Sequence, residues 1–440
     1  MDMNTPTSWV GTANEPDSGF PLQSLPYCSF VADTGPNAAF HLGVGIGSFI
    51  LDLHQLAGAH LLDTLPNEVQ AACTAQQLNP LMRCGPLAWS ALRRRLTDLL
   101  ITIEPRSDRN TDQQRLVASL MFPMAGSYFQ KPVATENYTD FYASIHHAMN
   151  VGKLFRPDNP LLPNYRWIPI GYHGRASSLV ISGTPIRRPR GQIKVPGEPS
   201  PIFEPTGQLD YELEVAAYIG TENSLGIRIP IYEAEQHLFG LSLLNDWSAR
   251  DIQSWEYQPL GPFLGKSFAT SVSPWVVPIE ALADYRVPLA PRPSIEPQPL
   301  PYLTEAASGH PSGFDITLEV FLSTLHMREN NLPPVCLSSG NSRDLYWSFA
   351  QMVTHQTSNG CNLVPGDILA SGTVSGPHPG SQGCLLEVTQ RGTRPLHLPT
   401  GELREFLADG DEIILRGYCE REGHPRLSFG ECGGTVQPAS

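Results

Sequence analysis

The sequence lacks the features that would place the protein in a membrane or on a nucleic acid. It has no run of about 18 consecutive apolar residues, the length that a helix needs to cross a bilayer. No stretch of Lys and Arg is long enough to follow a phosphate backbone, and the net charge is −14. We therefore expect neither a membrane nor a nucleic-acid partner.

The eight cysteines form none of the short pairs that bind zinc or carry out redox exchange. No two of them are separated by two residues, as a zinc knuckle or a redox motif requires. Residues 1–20 also lack a basic stretch followed by an apolar core, which is the pattern of a secretory signal. These absences predict free thiols in a reducing compartment, and hence a cytoplasmic protein.

Charged residues are scarce and proline is abundant. Charged side chains make up 16% of the sequence, against roughly 25% in ordinary soluble domains. Proline accounts for 42 of 440 residues, nearly twice its usual share of about 5%. This composition favours short strands and turns over long helices. A chain of 440 residues also exceeds the size at which one core stops growing, which predicts two domains.

Two patterns organise the N-terminal part. Residues 44–53 are apolar around Gly turns and predict a hairpin. A helix is predicted from Pro86, because Pro suits a first turn and apolar side chains then recur on one face, at Trp89, Leu92, Leu96 and Leu99. From about residue 130 onward, short strand-like runs recur between Pro and Gly turns. This change in pattern predicts a domain of residues 1–130 and a second of residues 131–440.

After residue 130, short apolar runs recur between Pro and Gly turns and predict strands. They lie at residues 166–171, 178–183, 209–219, 241–245, 315–325, 367–373, 385–388 and 412–415. Helices are predicted at residues 342–357 and shortly after Asp246. Because strands outnumber helices, the predicted fold class is mainly β, of the α+β type.

Three carboxylates alternate along one predicted strand. The odd positions of residues 209–219 are apolar, which predicts a buried face. Asp210, Glu212 and Glu214 then share the opposite face. A solvated strand face is the ordinary explanation for such residues. Three carboxylates on one face repel each other, however, and a bound cation would relieve that repulsion.

A second group of polar residues lies just before the predicted strands. Asp140 and His147 are seven positions apart, so they would share a face if the segment were helical. A surface Asp and a half-buried pair of histidines would explain the same pattern. Either His146 or His147 could act as a base, and the spacing does not choose between them.

Two further segments combine charge with apolar surroundings. Asp246 follows the apolar residues 241–244 at a good N-cap position, and Arg250 and Gln253 follow it on one helical face. A capping Asp that pairs with Arg250 would be the simple explanation. Lys266 lies among small and apolar residues, but the Gly spacing around it does not fit a nucleotide-binding loop. A Lys in such surroundings has a carboxylate partner or a functional task.

Six motifs, taken in order along the chain, resemble those of the fumarylacetoacetate hydrolase family. They are Tyr-Thr-Asp-Phe-Tyr at 138–142, Gly-Tyr-His-Gly-Arg-Ala-Ser-Ser at 171–178, Gly-Thr-Pro-Ile-Arg-Arg-Pro at 183–189, Asn-Asp-Trp-Ser-Ala-Arg-Asp-Ile-Gln at 245–253, Gly-Pro-Phe-Leu-Gly-Lys-Ser-Phe at 261–268 and Asn-Gly-Cys-Asn-Leu at 359–363. The resemblance covers nearly the whole chain and is densest from about 130 to 430. Residues 283–326 and 377–383 match it poorly.

The resemblance implies a fold, an assembly and an activity. The fold would be an N-terminal SH3-like β-barrel followed by a C-terminal mixed β-sandwich roll, and the protein would be a homodimer. The reaction would be the hydrolysis of a carbon–carbon bond of 4-fumarylacetoacetate to fumarate and acetoacetate. That reaction is the last step of tyrosine and phenylalanine catabolism.

The resemblance also assigns roles to individual residues. The metal ligands would be Asp140, Glu212, Glu214 and Asp246, with Lys266 and Thr270 beside them. His147 would be the general base with Glu387 as its carboxylate partner, and the oxyanion would be bound by Arg250, Gln253 and Lys266. The substrate would be held by Tyr142, Arg156, Tyr172, Gln253, Tyr257 and Thr373. Because all the ligands supply hard oxygen atoms, the metal would be Mg²⁺ or Ca²⁺.

Two other functions compete with this one. A decarboxylase or hydratase of the same fold would act on a different keto acid through the same metal, but such relatives usually lack the His at the position of His147 and the N-terminal barrel. A binding protein without catalytic activity would be expected to lose at least one of the residues named above, and all of them are present.

Overall fold

The structure, a computed structural model, describes residues 6–32, 38–103, 108–305 and 311–440. Strands carry most of its regular structure. They are β1 (Tyr27–Val31), β2 (His41–Ile46), β3 (Phe49–Asp52), β4 (Met121–Pro123), β5 (Tyr128–Gln130), β6 (Tyr138–Phe141), β7 (Gly171–Gly174), β8 (Leu179–Ile181), β9 (Ile186–Arg187), β10 (Arg190–Ile193), β11 (Ile202–Pro205), β12 (Leu209–Asp210), β13 (Leu213–Ile219), β14 (Leu238–Asp246), β15 (Ser248–Ala249), β16 (Thr270–Val272), β17 (Val277–Pro278), β18 (Arg286–Val287), β19 (Gly313–Phe314), β20 (Thr317–Ser323), β21 (Val335–Asn341), β22 (Ile368–Ala370), β23 (Leu396–His397), β24 (Leu403–Arg404), β25 (Glu412–Cys419) and β26 (Leu427–Gln437).

The helices are short and lie around the sheets. They are α1 (Leu53–Gly58), α2 (Asn67–Cys73), α3 (Asn79–Arg83), α4 (Pro86–Leu100), α5 (Asp108–Ser119), α6 (Ile145–Phe155), α7 (Arg250–Glu256), α8 (Leu325–Glu329), α9 (Phe349–Thr357) and α10 (Leu385–Val388). Short 3-10 helices occupy Gly11–Asn14, Pro163–Arg166, Ala176–Ser178, Ala234–His237, Ile279–Tyr285, Pro301–Leu303 and Ser342–Asp344. In the described ranges, none of the helices has the length and apolar character needed to cross a membrane.

Three sheets form the framework. The N-terminal sheet is antiparallel, with the strand order β4-β3-β2-β1-β5. The central sheet has eight strands in the order β7-β6-β22-β13-β14-β16-β8, with β17 paired to β14. The outer sheet has the order β21-β20-β25-β26-β9. The central and outer sheets contain both parallel and antiparallel pairs. The mainly β class predicted from the sequence is confirmed.

The central sheet is covered on both faces. Along β13, Val215 and Ala217 belong to a core that also contains Leu318 and Leu415 of the outer sheet. The intervening residues of β13, among them Ala216, face a second core shared with the N-terminal part of the chain. This alternation follows from the period of two along a strand. The odd-numbered face is buried as predicted, and the opposite face is buried as well, which excludes the ordinary alternative of a solvated face.

The second core crosses residue 130. It joins apolar residues of α1 to α4 and of the N-terminal strands to residues of the central sheet, among them Tyr218, Phe239, Leu244, Val272, Val276 and Ile368. Two backbone hydrogen bonds between Tyr27 and Val276, each of 2.9 Å, tie the N-terminal sheet to the same region. The predicted boundary falls directly after β5, and the division into domains of residues 1–130 and 131–440 remains a prediction.

Several predicted elements are found and others differ. The hairpin within residues 44–53 is formed by β2 and β3, and the helix predicted from Pro86 is α4. Residues 209–219 form two strands rather than one, and between them the Glu212 N–H donates to the Asn245 side chain at 3.1 Å. The run at 166–171 is mostly not a strand, and that at 385–388 is the helix α10.

Candidate metal and catalytic site

Four buried carboxylates converge at one end of the central sheet. One side-chain oxygen from each lies within 4.8 Å of the others in the cluster Asp140, Glu212, Glu214 and Asp246. Asp140 lies in β6, Glu214 near the start of β13 and Asp246 at the end of β14. Because β6, β22, β13 and β14 are consecutive in the sheet, their ends bring together side chains that are far apart in the sequence.

Two of these carboxylates have oxygen atoms without a partner. Asp140 Oδ1 and both oxygens of Glu214 are buried, and no described residue donates a hydrogen bond to them. Burial and the neighbouring carboxylates raise the pKa of both groups well above its ordinary value. A buried carboxylate without a partner is costly, and a divalent cation with oxygen ligands would remove that cost. The donor set therefore fits a metal ion, and the side chains fit Mg²⁺ or Ca²⁺ better than softer metals.

The other two carboxylates are held by a buried lysine. Lys266 Nζ donates to Glu212 Oε2 at 2.5 Å and to Asp246 Oδ2 at 2.8 Å. Burial alone would raise the pKa of Glu212, but Lys266, together with Arg250, holds it below its usual range. Asp246 also accepts hydrogen bonds from Thr270 Oγ1 at 2.8 Å and from the Tyr172 hydroxyl at 2.9 Å.

Arg250 is placed differently from the sequence expectation. Asp246 ends a strand, and α7 begins only at Arg250, so the expected ion pair between these two residues is replaced by others. Arg250 Nη1 lies 2.6 Å from Glu212 Oε1, and its Nε and Nη2 each lie 2.8 Å from Asp210 Oδ2. Gln253 Oε1 accepts a longer bond of 3.3 Å from Arg250 Nη1. Arg250 therefore connects Asp210 to Glu212 and also brings a positive charge into the site.

Asp140 and His147 do not share a helix. Asp140 lies in a strand, and α6 begins after Ser144, whose hydroxyl caps the helix by accepting the His147 N–H at 3.3 Å. The same hydroxyl donates to the carbonyl of Ser375 at 2.9 Å, which ties the start of α6 to the loop after β22. The helical spacing inferred from the sequence was wrong, although the structure does bring the Asp and the His into one site.

His147 forms a buried pair with Glu387. The distance from His147 Nδ1 to Glu387 Oε2 is 2.6 Å, and the two side chains are 5% and 1% exposed. Burial would raise the pKa of Glu387, but His147 and several hydrogen bonds lower it. An ionised carboxylate only accepts, so the hydrogen bond places a proton on Nδ1, and in the neutral ring the lone pair would then lie on Nε2. In the described residues, no carboxylate makes a hydrogen bond or ion pair with His146.

Three residues around Glu387 were not found from the sequence. Asn150 Nδ2 donates to Glu387 Oε1 at 2.8 Å, and Ser375 Oγ donates to Oε2 at 2.8 Å. The Cys384 thiol lies 3.2 Å from the same oxygen. Asn150 follows His147 by three positions in α6, so helical spacing could have indicated it. Nothing in the pattern around Cys384 pointed to this contact.

Of the residues expected to hold the substrate, Tyr142 contacts His147 and Tyr172 contacts Asp246. The Tyr142 ring meets the His147 ring edge to face at 5.3 Å. Thr373 Oγ1 and Arg156 Nε are buried and have no hydrogen-bond partner in the described part of the chain. Tyr257 is 37% exposed, next to the exposed segment that includes Leu260. The polar atoms that remain unpaired in this region are free to bind a polar ligand.

Fold and site together define a class. Hard oxygen ligands beside a carboxylate-oriented histidine are what metal-assisted hydrolysis of a polar small molecule requires. Comparison with known proteins gives the family. A model described as fumarylacetoacetate (FAA) hydrolase C-terminal matches residues 136–437, and one described as fumarylacetoacetase N-terminal matches residues 23–130. The chain belongs to the fumarylacetoacetate hydrolase family.

Curated relatives are similar to the chain over nearly its full length. Fumarylacetoacetase of Bos taurus is 46% identical over 425 residues, which cover 96% of this chain and 97% of the relative. The proteins of the same name from Homo sapiens and Arabidopsis thaliana are 45% and 44% identical, with the same coverage. A solved fumarylacetoacetate hydrolase from Exiguobacterium antarcticum has a TM-score of 0.51 at 17% identity, covers 94% of this chain and 99% of its own, and supports the fold alone.

Proposed function

We propose that the protein hydrolyses a carbon–carbon bond of 4-fumarylacetoacetate and releases fumarate and acetoacetate. The observation that carries this proposal is the buried His147–Glu387 pair beside the four-carboxylate cluster. The full-length similarity to curated fumarylacetoacetases supports the choice of substrate. The reaction would be the last step of tyrosine and phenylalanine catabolism.

His147 acts as the general base. Glu387 holds the imidazole by its Nδ1–H, so Nε2 takes a proton from a water molecule as that water attacks the carbonyl carbon. The charge of Glu387 then stabilises the imidazolium that forms. Asn150 and Ser375 donate to the same carboxylate and keep its oxygens in place.

The four carboxylates would hold a divalent ion, Mg²⁺ or Ca²⁺. When bound, such an ion supplies a positive charge that polarises a β-diketone and favours the carbanion released by cleavage. Lys266 lies against Glu212 and Asp246 and presents its ammonium group to the same region. The cations Lys266 and Arg250, together with the amide of Gln253, would stabilise negative charge on the oxygen of the attacked carbonyl.

The substrate is held by six polar side chains, of which Arg156 and Thr373 have buried atoms without a hydrogen-bond partner in the described part of the chain. Arg156 suits a substrate carboxylate, because a guanidinium binds a carboxylate through two parallel hydrogen bonds. Tyr142, Tyr172, Tyr257, Gln253 and Thr373 complete the set. The protein would work as a homodimer in the cytoplasm, a reducing compartment that suits its eight free cysteines.

An assay of product identity tests the proposal. Purified protein with Mg²⁺ or Ca²⁺ should consume 4-fumarylacetoacetate, with loss of the diketone absorbance and equimolar fumarate and acetoacetate detected by chromatography. Release of carbon dioxide, or addition of water without cleavage, would instead identify a decarboxylase or a hydratase. No turnover of the diketone by the metal-loaded protein would contradict the proposal.

A further inference from the structure

Asp210 lies between the two halves of the site and was given no role above. It is fully buried in β12. Besides the N–H of the next residue, Tyr211, at 2.9 Å, its carboxylate accepts hydrogen bonds from two segments that are distant in the sequence. One segment carries Glu387 and the other carries Arg250.

The first branch fixes the turn that carries Glu387. Asp210 Oδ1 accepts the Leu385 N–H at 2.8 Å, and Oδ2 accepts the Leu386 N–H at 3.0 Å. Leu385 and Leu386 are the first two residues of α10, and Glu387 follows directly. A shift of these backbone groups would therefore move the carboxylate that orients His147.

The second branch reaches the carboxylate cluster. Arg250 donates through Nε to Asp210 Oδ2 at 2.8 Å and through Nη1 to Glu212 Oε1 at 2.6 Å. Arg250 is 6% exposed, so it depends on these two anions for its charge balance. Without Asp210, the guanidinium would be balanced mainly by Glu212, which would bind a metal ion less readily.

We propose that Asp210 is a positioning residue that sets the His147–Glu387 pair and the metal-binding carboxylates in one arrangement. The proposal deepens the function proposed above and rests on it for the catalytic branch. The carboxylate is needed because every group directed at it is a donor. An amide in its place would offer one oxygen to these donors and turn an NH2 group toward the rest.

The test compares Asp210→Asn with a matched control, Asp411→Asn. Asp411 is also fully buried, accepts from Arg404 at 2.8 Å and from the Ala408 N–H at 2.8 Å, and lies outside the site. Both variants lose a buried carboxylate that pairs with an arginine and with backbone, so a general loss of stability should appear in both. Only the effects on the site should differ.

Two measurements separate the branches. Calorimetric titration of metal-free protein with Ca²⁺ and with Mg²⁺ should show an affinity about 10-fold to 100-fold weaker for Asp210→Asn, the usual effect of removing a group that orients a ligand, and no change for Asp411→Asn. Turnover of 4-fumarylacetoacetate should fall by a similar factor in kcat with KM nearly unchanged. Because the titration uses no substrate, weakened metal binding without cleavage by the native protein would reject the proposed function and keep the link.

Other outcomes would overturn the proposal. Equal metal affinity and equal kcat in the two variants would make Asp210 a structural residue only. If Asp210→Asn did not fold, Asp210→Glu would be measured in its place, because it keeps the charge beside Arg250 but displaces the oxygens from Leu385 and Leu386. If neither Asp210 variant folded while Asp411→Asn did, Asp210 would be required for the fold and the positioning role would be rejected.

Discussion

Carboxylates of the same chemical type behave differently within one site. Glu387 has a lowered pKa because His147 and hydrogen bonds outweigh its burial. Asp140 and Glu214 have raised pKa values because burial and neighbouring anions act together on them. The environment thus assigns one carboxylate to a histidine and leaves the other two ready for a cation.

His147→Ala is expected to remove the base without removing the metal site. The variant should lose kcat by a factor of about 100 to 10,000, the usual contribution of a general base. Calcium binding measured by calorimetry should be retained, because the proposed metal ligands are the four carboxylates and His147 is not one of the ligands. His146→Ala is the matched control and should stay active. An inactive His146→Ala beside an active His147→Ala would reverse the assignment.

Glu387→Gln is expected to preserve a hydrogen bond to His147 but to lose the charge that stabilises the imidazolium. We expect kcat to fall by at least about 100-fold while KM changes little, because the lost interaction matters mainly in the transition state. Steady-state kinetics with 4-fumarylacetoacetate would measure both constants. Glu402→Gln, which alters a carboxylate paired with Arg404 outside the site, is the control. Normal turnover in Glu387→Gln would leave this carboxylate with a structural role alone.

At the level of single residues, the sequence indicated which neighbouring side chains share a face but not which distant residues they contact. The alternation in residues 209–219 indicated that Glu212 and Glu214 share a strand face, which a period of two is enough to reveal. It could not indicate that Asp210 turns to Leu385 and Arg250, because those partners lie 175 and 40 residues away. Asn150 could be inferred from helical spacing, whereas Ser375 and Cys384 depend on how a distant loop folds back.

At the level of elements, the loop after β22 is built around a glycine. Gly372 has a φ of +73°, and a Cβ added there would lie 2.0 Å from the carbonyl oxygen of Phe141. The loop can therefore approach the end of β6 only with hydrogen at this position. This approach places the segment that carries Thr373 and Ser375 beside the strand that carries Asp140.

Gly372→Ala is expected to lower both stability and activity. The clash with backbone adds to the cost of a positive φ, so the free energy of unfolding should fall by more than about 2 kcal/mol. Gly183→Ala is the matched control, since Gly183 has a φ of +88° and no heavy atom within 4 Å of an added Cβ. Chemical denaturation of both variants measures the difference. Equal losses of unfolding free energy in the two variants would mean that the loop after β22 moves away from Phe141 without loss of stability, which would contradict the prediction.

The element that carries Glu387 shows why some local patterns mislead. The short apolar run Leu-Leu-Glu-Val at residues 385–388 predicts a strand, although runs of this kind also occur in buried helices. The structure makes it the helix α10, because Asp210 accepts the first two N–H groups. The local pattern therefore did not predict the helix at 385–388, which makes a contact with a residue distant in the sequence. The longer apolar pattern of α4 did predict its helix.

At the level of the whole molecule, the site links stability to pH and to metal. Carboxyls with raised pKa values, such as Asp140 and Glu214, bind protons more tightly in the folded protein than in the unfolded one. Their contribution to stability is present below the unfolded pKa of about 4 and is lost as pH rises through the folded values. The lowered pKa of Glu387 acts the other way and is lost only as pH falls below about 4.5.

Removal of the metal should therefore destabilise the protein more at high pH than at low pH. We expect the rise in Tm on adding Ca²⁺ to chelator-treated protein to be larger at about pH 8 than at about pH 5, because the ion replaces protons at the carboxylates. Differential scanning calorimetry with and without EDTA measures this. Asp140→Asn should show a smaller pH effect. A rise in Tm that is independent of pH would contradict the prediction.

The core shared by the N-terminal part and the central sheet makes the amount of enzyme in a cell depend on residues remote from its chemistry. Leu92 in α4 is fully buried in that core.

Leu92→Ala should reduce the free energy of unfolding by about 2 to 5 kcal/mol, while kcat per folded molecule stays near that of the native protein. Chaperones and proteases respond to the unfolded fraction, so steady-state abundance should fall several-fold. Quantitative immunoblotting of expressing cells beside kinetics of purified protein would separate the two effects, and an equal fall in kcat would contradict this expectation. Substitutions remote from the site would then lower activity in a cell by reducing the amount of protein, with the catalytic groups unchanged.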